Sequence, residues 1–243
     1  MLSEQEKERY NRQIIIPDFG QESQEKIKKA KVIVIGVGGL GSIISLYLVA
    51  SGVGVVGLVD KDVVSISNLQ RQVLYREDEV GLSKLNQAKQ TLNRLNSNVK
   101  ILPFNCFLDK SNAKDIIKDF DIVIDATDNY QTRYLINDTC LNLNKPFIYG
   151  SIGDTKGQLA VFNYGENPSC YRDLFPNQKE LEQRGNVNKG VMGVLPAIVG
   201  SMEVNEAIKM ITNKGEILKD TLFTIDLSTN ETMKLHISPT IKR

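Results

Sequence analysis

From Val32 to Val59 the chain carries no charged residue, and Asp60 ends the run. A membrane helix presents the same hydropathy, but it needs about 20 apolar residues without strong breakers. Seven glycines, at positions 36, 38, 39, 41, 52, 54 and 57, punctuate this run instead. Taken in pieces, Val32 to Ile35 is a short β-branched strand, and Gly36-Val37-Gly38-Gly39-Leu40-Gly41 is a G-x-G-x-x-G turn. Ser42 to Ser51 is apolar on nearly all faces and predicts a helix packed on a sheet. Gly52-Val53-Gly54 closes that helix before a second strand, Val55 to Val59.

The alternation continues down the chain. Gly20 to Ala30 predicts a helix that delivers the first strand, and Leu82 to Leu95 an amphipathic helix ahead of a strand at Lys100 to Phe104. Asp121 to Asp125 predicts a buried strand opening onto Ala126-Thr127-Asp128-Asn129; Tyr130 to Leu143 is helical and Pro146 to Tyr149 another parallel strand. After Gly157 the pattern changes. Gln158 to Tyr164 alternates and suits antiparallel pairing, Glu166 to Asn188 is polar and loop-like, Met192 to Ile211 predicts a long helix, and Leu222 to Asp226 with Thr232 to His236 a hairpin. The fold class is therefore α/β, a Rossmann-like doubly wound, mainly parallel sheet extended by antiparallel strands. One domain is expected over 1–243, with a nucleotide-binding half (1–150) and a half that extends the sheet and caps the cleft (151–243).

Composition narrows the function. The chain has 243 residues, enough to bury a substantial core, and a net charge of +1, which argues against a dedicated nucleic-acid binder. The N-terminal stretch MLSEQEKERYNRQ is polar and carries no secretory signal, so neither membrane nor secretion is expected. Cys106, Cys140 and Cys170 have no paired spacing and suit a reduced, cytoplasmic protein.

Strand, glycine turn, helix, strand and acid is the order of a βαβ nucleotide site. The first glycines let the backbone approach phosphate at a helix N-terminus, and the acid, Asp60, can hold ribose hydroxyls. A tight turn with no ligand is the bland alternative. His236 is the only histidine and falls in a C-terminal strand, so histidine-based acid/base schemes have little support. The chain offers cations and carboxylates instead: Asn68-Leu69-Gln70-Arg71-Gln72, Lys84 and Asp128. Arg and Lys neutralise phosphate, and an acid can hold Mg²⁺ against phosphate oxygens, so phosphoryl chemistry fits this inventory. Taken singly, Lys84 is equally well a solvated lysine and Asp128 a helix cap; their convergence at the carboxyl edge of a parallel sheet favours function.

The strings RYNRQIIIPDFG, GVGGLG, DKDVVSISNLQRQVLY, GLSK, DATDNYQTRYLIN, CYRDLFP and GVMGVLPAIVGSMEVNEAIKMI together resemble the ThiF/MoeB/HesA family, bacterial relatives of ubiquitin-activating enzymes. The resemblance implies a homodimeric, ATP-dependent adenylyltransferase that activates the C-terminal glycine of a ubiquitin-like sulfur-carrier protein, of MoaD or ThiS type, for molybdopterin or thiamine biosynthesis. It puts Gly36, Gly38, Gly39 and Gly41 against the nucleotide and Asp60 on the ribose, with Asp62, Gln72 and Asn129 completing the nucleotide set. Asn68, Arg71 and Lys84 would hold the triphosphate, Asp128 would bind Mg²⁺, and Arg12 would reach the partner subunit's phosphates. An ionised carboxylate attacks the α-phosphorus without a general base, so the lack of a usable histidine is no obstacle.

Two departures from the family pattern matter. Many members bind structural zinc through two C-x-x-C pairs, but Cys170-Tyr-Arg-Asp173 keeps one cysteine and none follows it, so no zinc is expected. Several members carry a transfer cysteine in the crossover loop; Asn186 stands in its place, so an external sulfur donor is expected, with Cys170 the one conceivable substitute. Two other readings are an NAD-dependent oxidoreductase built on the same glycine turn and a non-catalytic binding scaffold of the same fold.

Overall fold

The structure, a computed structural model, describes residues 1–184 and 190–239. Helices α1 (Glu4–Arg9), α2 (Asn11–Ile14) and α3 (Gly20–Lys29) lead into strand β1 (Lys31–Ile35), which is followed by α4 (Gly39–Ala50) and β2 (Val55–Val59). The run that mimics a membrane span is thus two strands and a helix. Among the described residues no helix is long and apolar enough to cross a membrane. Helix α4 starts three residues earlier than the hydropathy suggests because the second half of the glycine turn is itself helical, with Ser42 N–H donating to Gly38 O at 2.9 Å.

Next come α5 (Lys84–Leu95), β3 (Lys100–Phe104), α6 (Ala113–Ile117), β4 (Ile122–Asp125), α7 (Tyr130–Leu143), β5 (Phe147–Gly153) and β6 (Lys156–Phe162). The polar stretch expected to be loop contains two short helices, α8 (Tyr171–Leu174) and α9 (Gln178–Arg184). Helix α10 (Leu195–Thr212) and the hairpin of β7 (Thr221–Asp226) and β8 (Glu231–His236) complete the chain. Helix α10 begins later than Met192 because Met192 N–H donates to Asp154 O at 2.8 Å, which ties the segment before α10 to the β5–β6 turn.

The eight strands form one sheet in the order β3-β2-β1-β4-β5-β6-β7-β8. Strands β3 to β5 in that order pair parallel; β5, β6, β7 and β8 pair antiparallel. Successive side chains of β1 enter opposite cores. Val32 and Val34 pack with Leu48, Leu92 and Val199, while Ile33 and Ile35 pack with Ile117, Tyr134 and Tyr171. Burial on both faces is why the parallel strands are apolar throughout. The chain winds outward from β1 in one direction and from β4 in the other, so the crevice at the carboxyl ends of these two neighbours is a topological switch point, where ligands bind in such sheets.

Candidate active site

A cavity of about 460 Å³ lies at that switch point. Gly36, Gly38 and Gly39 form one wall, and their backbone geometry explains the residue type. Gly36 has φ +94°, and a Cβ there would lie 2.7 Å from Ala126 O. Gly41 is different. It is buried away from the cavity, and a Cβ on it would lie 2.1 Å from Gly36 O, so this glycine permits close packing of turn on helix rather than contact with a ligand.

Asp60 and Asp62 enter from the end of β2. Asp60 Oδ2 accepts Val37 N–H at 2.7 Å and Oδ1 accepts Asp62 N–H at 2.7 Å, so this carboxylate also fixes the glycine turn. Each oxygen keeps a further acceptor site for a ribose hydroxyl. Tyr75 braces the same turn, its hydroxyl donating to Val37 O at 2.7 Å. Lys84, at the start of α5, is buried with its Nζ 3.2 Å from Asp62 Oδ2. Asp62 is thus the partner of Lys84 as well as a cavity residue.

Asn68, Arg71 and Gln72 approach across the cavity mouth. Arg71 Nη1 donates to Ser67 O at 3.1 Å, which leaves most of the guanidinium's five N–H groups for other acceptors. Gln72 is buried, and its Oε1 has no hydrogen-bond partner. From the far side come Asp128 and Asn129, both exposed to the cavity. Asn129 Oδ1 accepts Thr132 N–H at 2.9 Å and caps α7.

Arg12 is exposed on α2 and does not line the cavity of its own chain. Asn186 lies outside the described residues, but Gly190 and Val191, just past it, border the cavity. The cysteines divide unexpectedly. Cys140 and Cys170 are buried, and Cys170 opens α8, where its N–H donates to Asp173 Oδ2 at 2.8 Å. Cys106 is half-buried in the loop past β3 and lines the cavity. Burial, with Asp109 nearby, pushes its thiol up while Lys61 pulls it back.

Sequence reasoning also missed the floor. Asp125, the last residue of β4, is fully buried, and Arg133 reaches it from α7 with Nε 3.3 Å from Oδ2. Burial pushes the Asp125 carboxyl up, whereas Arg133 and two hydrogen bonds from Thr127 pull it back. The signal in the sequence was an acid ending an apolar strand, with an arginine in the first turn of the next helix.

The profile of the ThiF family matches residues 10–242. The chain belongs to the ThiF family. It is 44% identical over 219 residues to a Xenopus laevis protein named "Adenylyltransferase and sulfurtransferase MOCS3", covering 90% of this chain and 48% of that one. It is also 44% identical over 213 residues to a Porphyra purpurea protein named "Probable molybdopterin-synthase adenylyltransferase", covering 86% and 55%. The chain thus spans about half the length of these relatives. A relative nearer in length, the "Sulfur carrier protein adenylyltransferase" of Thermus thermophilus, is 43% identical over 229 residues, covering 92% of this chain and 84% of that one. Among solved structures, the crystal structure of PaaA superposes with a TM-score of 0.82 at 28% identity, covering 97% of this chain and 75% of PaaA.

Proposed function

We propose that this chain is a cytoplasmic adenylyltransferase that uses ATP to activate the C-terminal carboxylate of a ubiquitin-like sulfur-carrier protein of MoaD or ThiS type. The observation that carries the reading is one cleft gathering a glycine turn, Asp60, Arg71, Lys84 and Asp128, with the chain's one histidine exposed on β8. Relatives named for this activity support it; "adenylyltransferase" is the word common to all three names.

The carrier's terminal carboxylate, already ionised at neutral pH, attacks the α-phosphorus. An acyl–O–P bond forms, the α–β phosphoanhydride bond breaks, and pyrophosphate leaves with its electron pair. No proton moves, so the protein's task is positioning and charge. The turn at Gly36 to Gly39, opening α4, presents N–H groups to phosphate. Arg71 and Lys84 offset the triphosphate charge. The donor chemistry fits magnesium: Asp128 is an oxygen donor exposed at the cavity, and Mg²⁺ is held by one or two carboxylates plus substrate phosphates. Asp128 would be that carboxylate, and the ion when bound would neutralise charge developing on the phosphate oxygens. Arg12, remote from its own cleft, would complete the cleft of the partner subunit in a homodimer, and sulfur would come from an external donor.

The test is ATP–pyrophosphate exchange with purified carriers of both types. Exchange that requires a carrier with an intact C-terminal glycine supports the reading. ATP binding without exchange by any carrier, or binding of NAD in preference to ATP, overturns it.

A further inference from the structure

The cleft floor holds a pair of charges that no step above uses. Asp125 and the Arg133 side chain are 0% and 7% exposed, yet Asp125 Oδ2 and Arg133 Nε, 3.3 Å apart, make no hydrogen bond of proper geometry. Removing two charges from water costs several kcal/mol per ion, and attraction repays it only when geometry and hydrogen bonding are excellent. A pair aligned this loosely is poorly explained by stability.

What the pair does hold well is one residue. Thr127 N–H and Oγ1 both donate to Asp125 Oδ1, at 2.9 and 2.6 Å, and Arg133 Nη2 donates to Thr127 O at 2.9 Å. The amide, the hydroxyl and the carbonyl of Thr127 are therefore all tied to the buried charges. Upstream, Ala126 N–H donates to Ile35 O at 2.9 Å; downstream, Asn129 is fixed as the cap of α7. The turn that carries Asp128 is clamped on both sides. The rings of Tyr149 and Tyr130 lie 5.4 and 5.9 Å from the guanidinium carbon and confine it. The guanidinium is a rigid, planar set of donors whose direction is set by the stem, whereas an ammonium is a compact point charge on a flexible stem and holds its acceptors less rigidly.

We propose that Arg133, acting with Asp125 through Thr127, is a positioning residue that sets the Asp128 carboxylate where it meets the metal–nucleotide. The inference rests on the proposed ATP-dependent reaction and adds to it a residue that acts through Thr127 on the placement of Asp128.

The experiment is calorimetric titration of the full-length protein with ATP, once with Mg²⁺ and once with EDTA. In Arg133→Lys the metal-free affinity should stay within about twofold of wild type, while the gain conferred by magnesium falls about tenfold, the lower end of the range for residues that orient metal ligands. Added to Asp128→Ala, the same change should remove nothing further from the magnesium gain. Thr127→Val, which deletes one hydrogen bond and keeps the fold should Arg133→Lys not, should lose part of the gain alone. A parallel fall of both affinities, or an unchanged magnesium gain, overturns the positioning role. Wild-type protein that binds no ATP under either condition overturns the underlying reading instead.

Discussion

Glu203 offers a test in which structure dictates a slope. It lies on α10, 0% exposed, and neither carboxyl oxygen has a hydrogen-bond partner. The carboxyl presses on the backbone of β5, where a Cβ at Gly150 would lie 2.4 Å from its carbon. Burial pushes the group well above the usual carboxylate range; Asp125 adds to this and Arg133 opposes it. The folded protein therefore keeps a proton on Glu203 at pH values where the unfolded chain has released it. Between the unfolded and folded values the native state binds one more proton, so stability falls as pH rises, by about 1.4 kcal/mol per pH unit. Below the unfolded value this contribution is fully present and flat. Glu203→Gln keeps the shape and cannot ionise, so it should gain on wild type by about 1.4 kcal/mol for each unit within that window. The new amide donors lack an acceptor, which costs about 1–3 kcal/mol at every pH, so the diagnostic quantity is the slope and not the offset. Urea unfolding of both proteins at half-unit steps from pH 5 to pH 8, with m-values checked for equality, measures it. Stability curves that run parallel across this range would refute the reasoning, because Glu203 would then titrate alike in both states.

Asp128→Ala should abolish pyrophosphate exchange and leave circular dichroism unchanged; full exchange removes Asp128 from the mechanism. Arg12→Ala and Arg71→Ala should each inactivate, and mixing the two should restore some activity, because one of the two sites then holds both arginines; no recovery despite proven subunit exchange places Arg12 within its own chain's chemistry or outside it. Iodoacetamide should label Cys106 while sparing the buried Cys140 and Cys170, with MgATP slowing the reaction. Because burial raises the Cys106 thiol, labelling should keep accelerating at pH values where an ordinary thiol has levelled off. Enzyme, carrier and MgATP should yield adenylated carrier by mass spectrometry and no enzyme–carrier adduct on non-reducing gels; an adduct that vanishes in Cys106→Ala refutes the expectation that the reaction stops at the adenylate and makes Cys106 a transfer thiol.

The parallel half of the fold was legible because its signals are local. Glycines mark the turn, β-branched runs mark strands buried on both faces, and Asp60 and Lys84 sit next to these landmarks. Helices α8 and α9 were not legible because distant residues dock them. Tyr171 N–H donates to Asn137 Oδ1 at 2.9 Å, Tyr134 hydroxyl to Phe175 O at 2.6 Å, and Arg172 pairs with Asp138. A four-residue helix has too few turns to show a period, and polar residues around Tyr171 conceal its burial. The place of Cys106 was not legible for a related reason: the loop after β3 has no repeating pattern, and only the closing of β3 beside β2 brings it to the switch point.

The same contrast explains how the cleft is organised. Chemistry that needs no proton transfer places no demand on a titrating base, but it requires charges held at fixed positions around a triphosphate. Three acids at the cleft meet that demand by engaging the protein itself: Asp60 grips the glycine turn, Asp62 holds Lys84, and Asp125 grips Thr127. Side chains so engaged are held in place, so on the proposed reading the field they create persists as a nucleotide enters. Electrostatic catalysis depends on dipoles and charges that need not reorganise during the reaction. An acid tied to backbone N–H groups thus contributes through geometry even when it touches no substrate, which is why single residues in this cleft serve both the fold and the site.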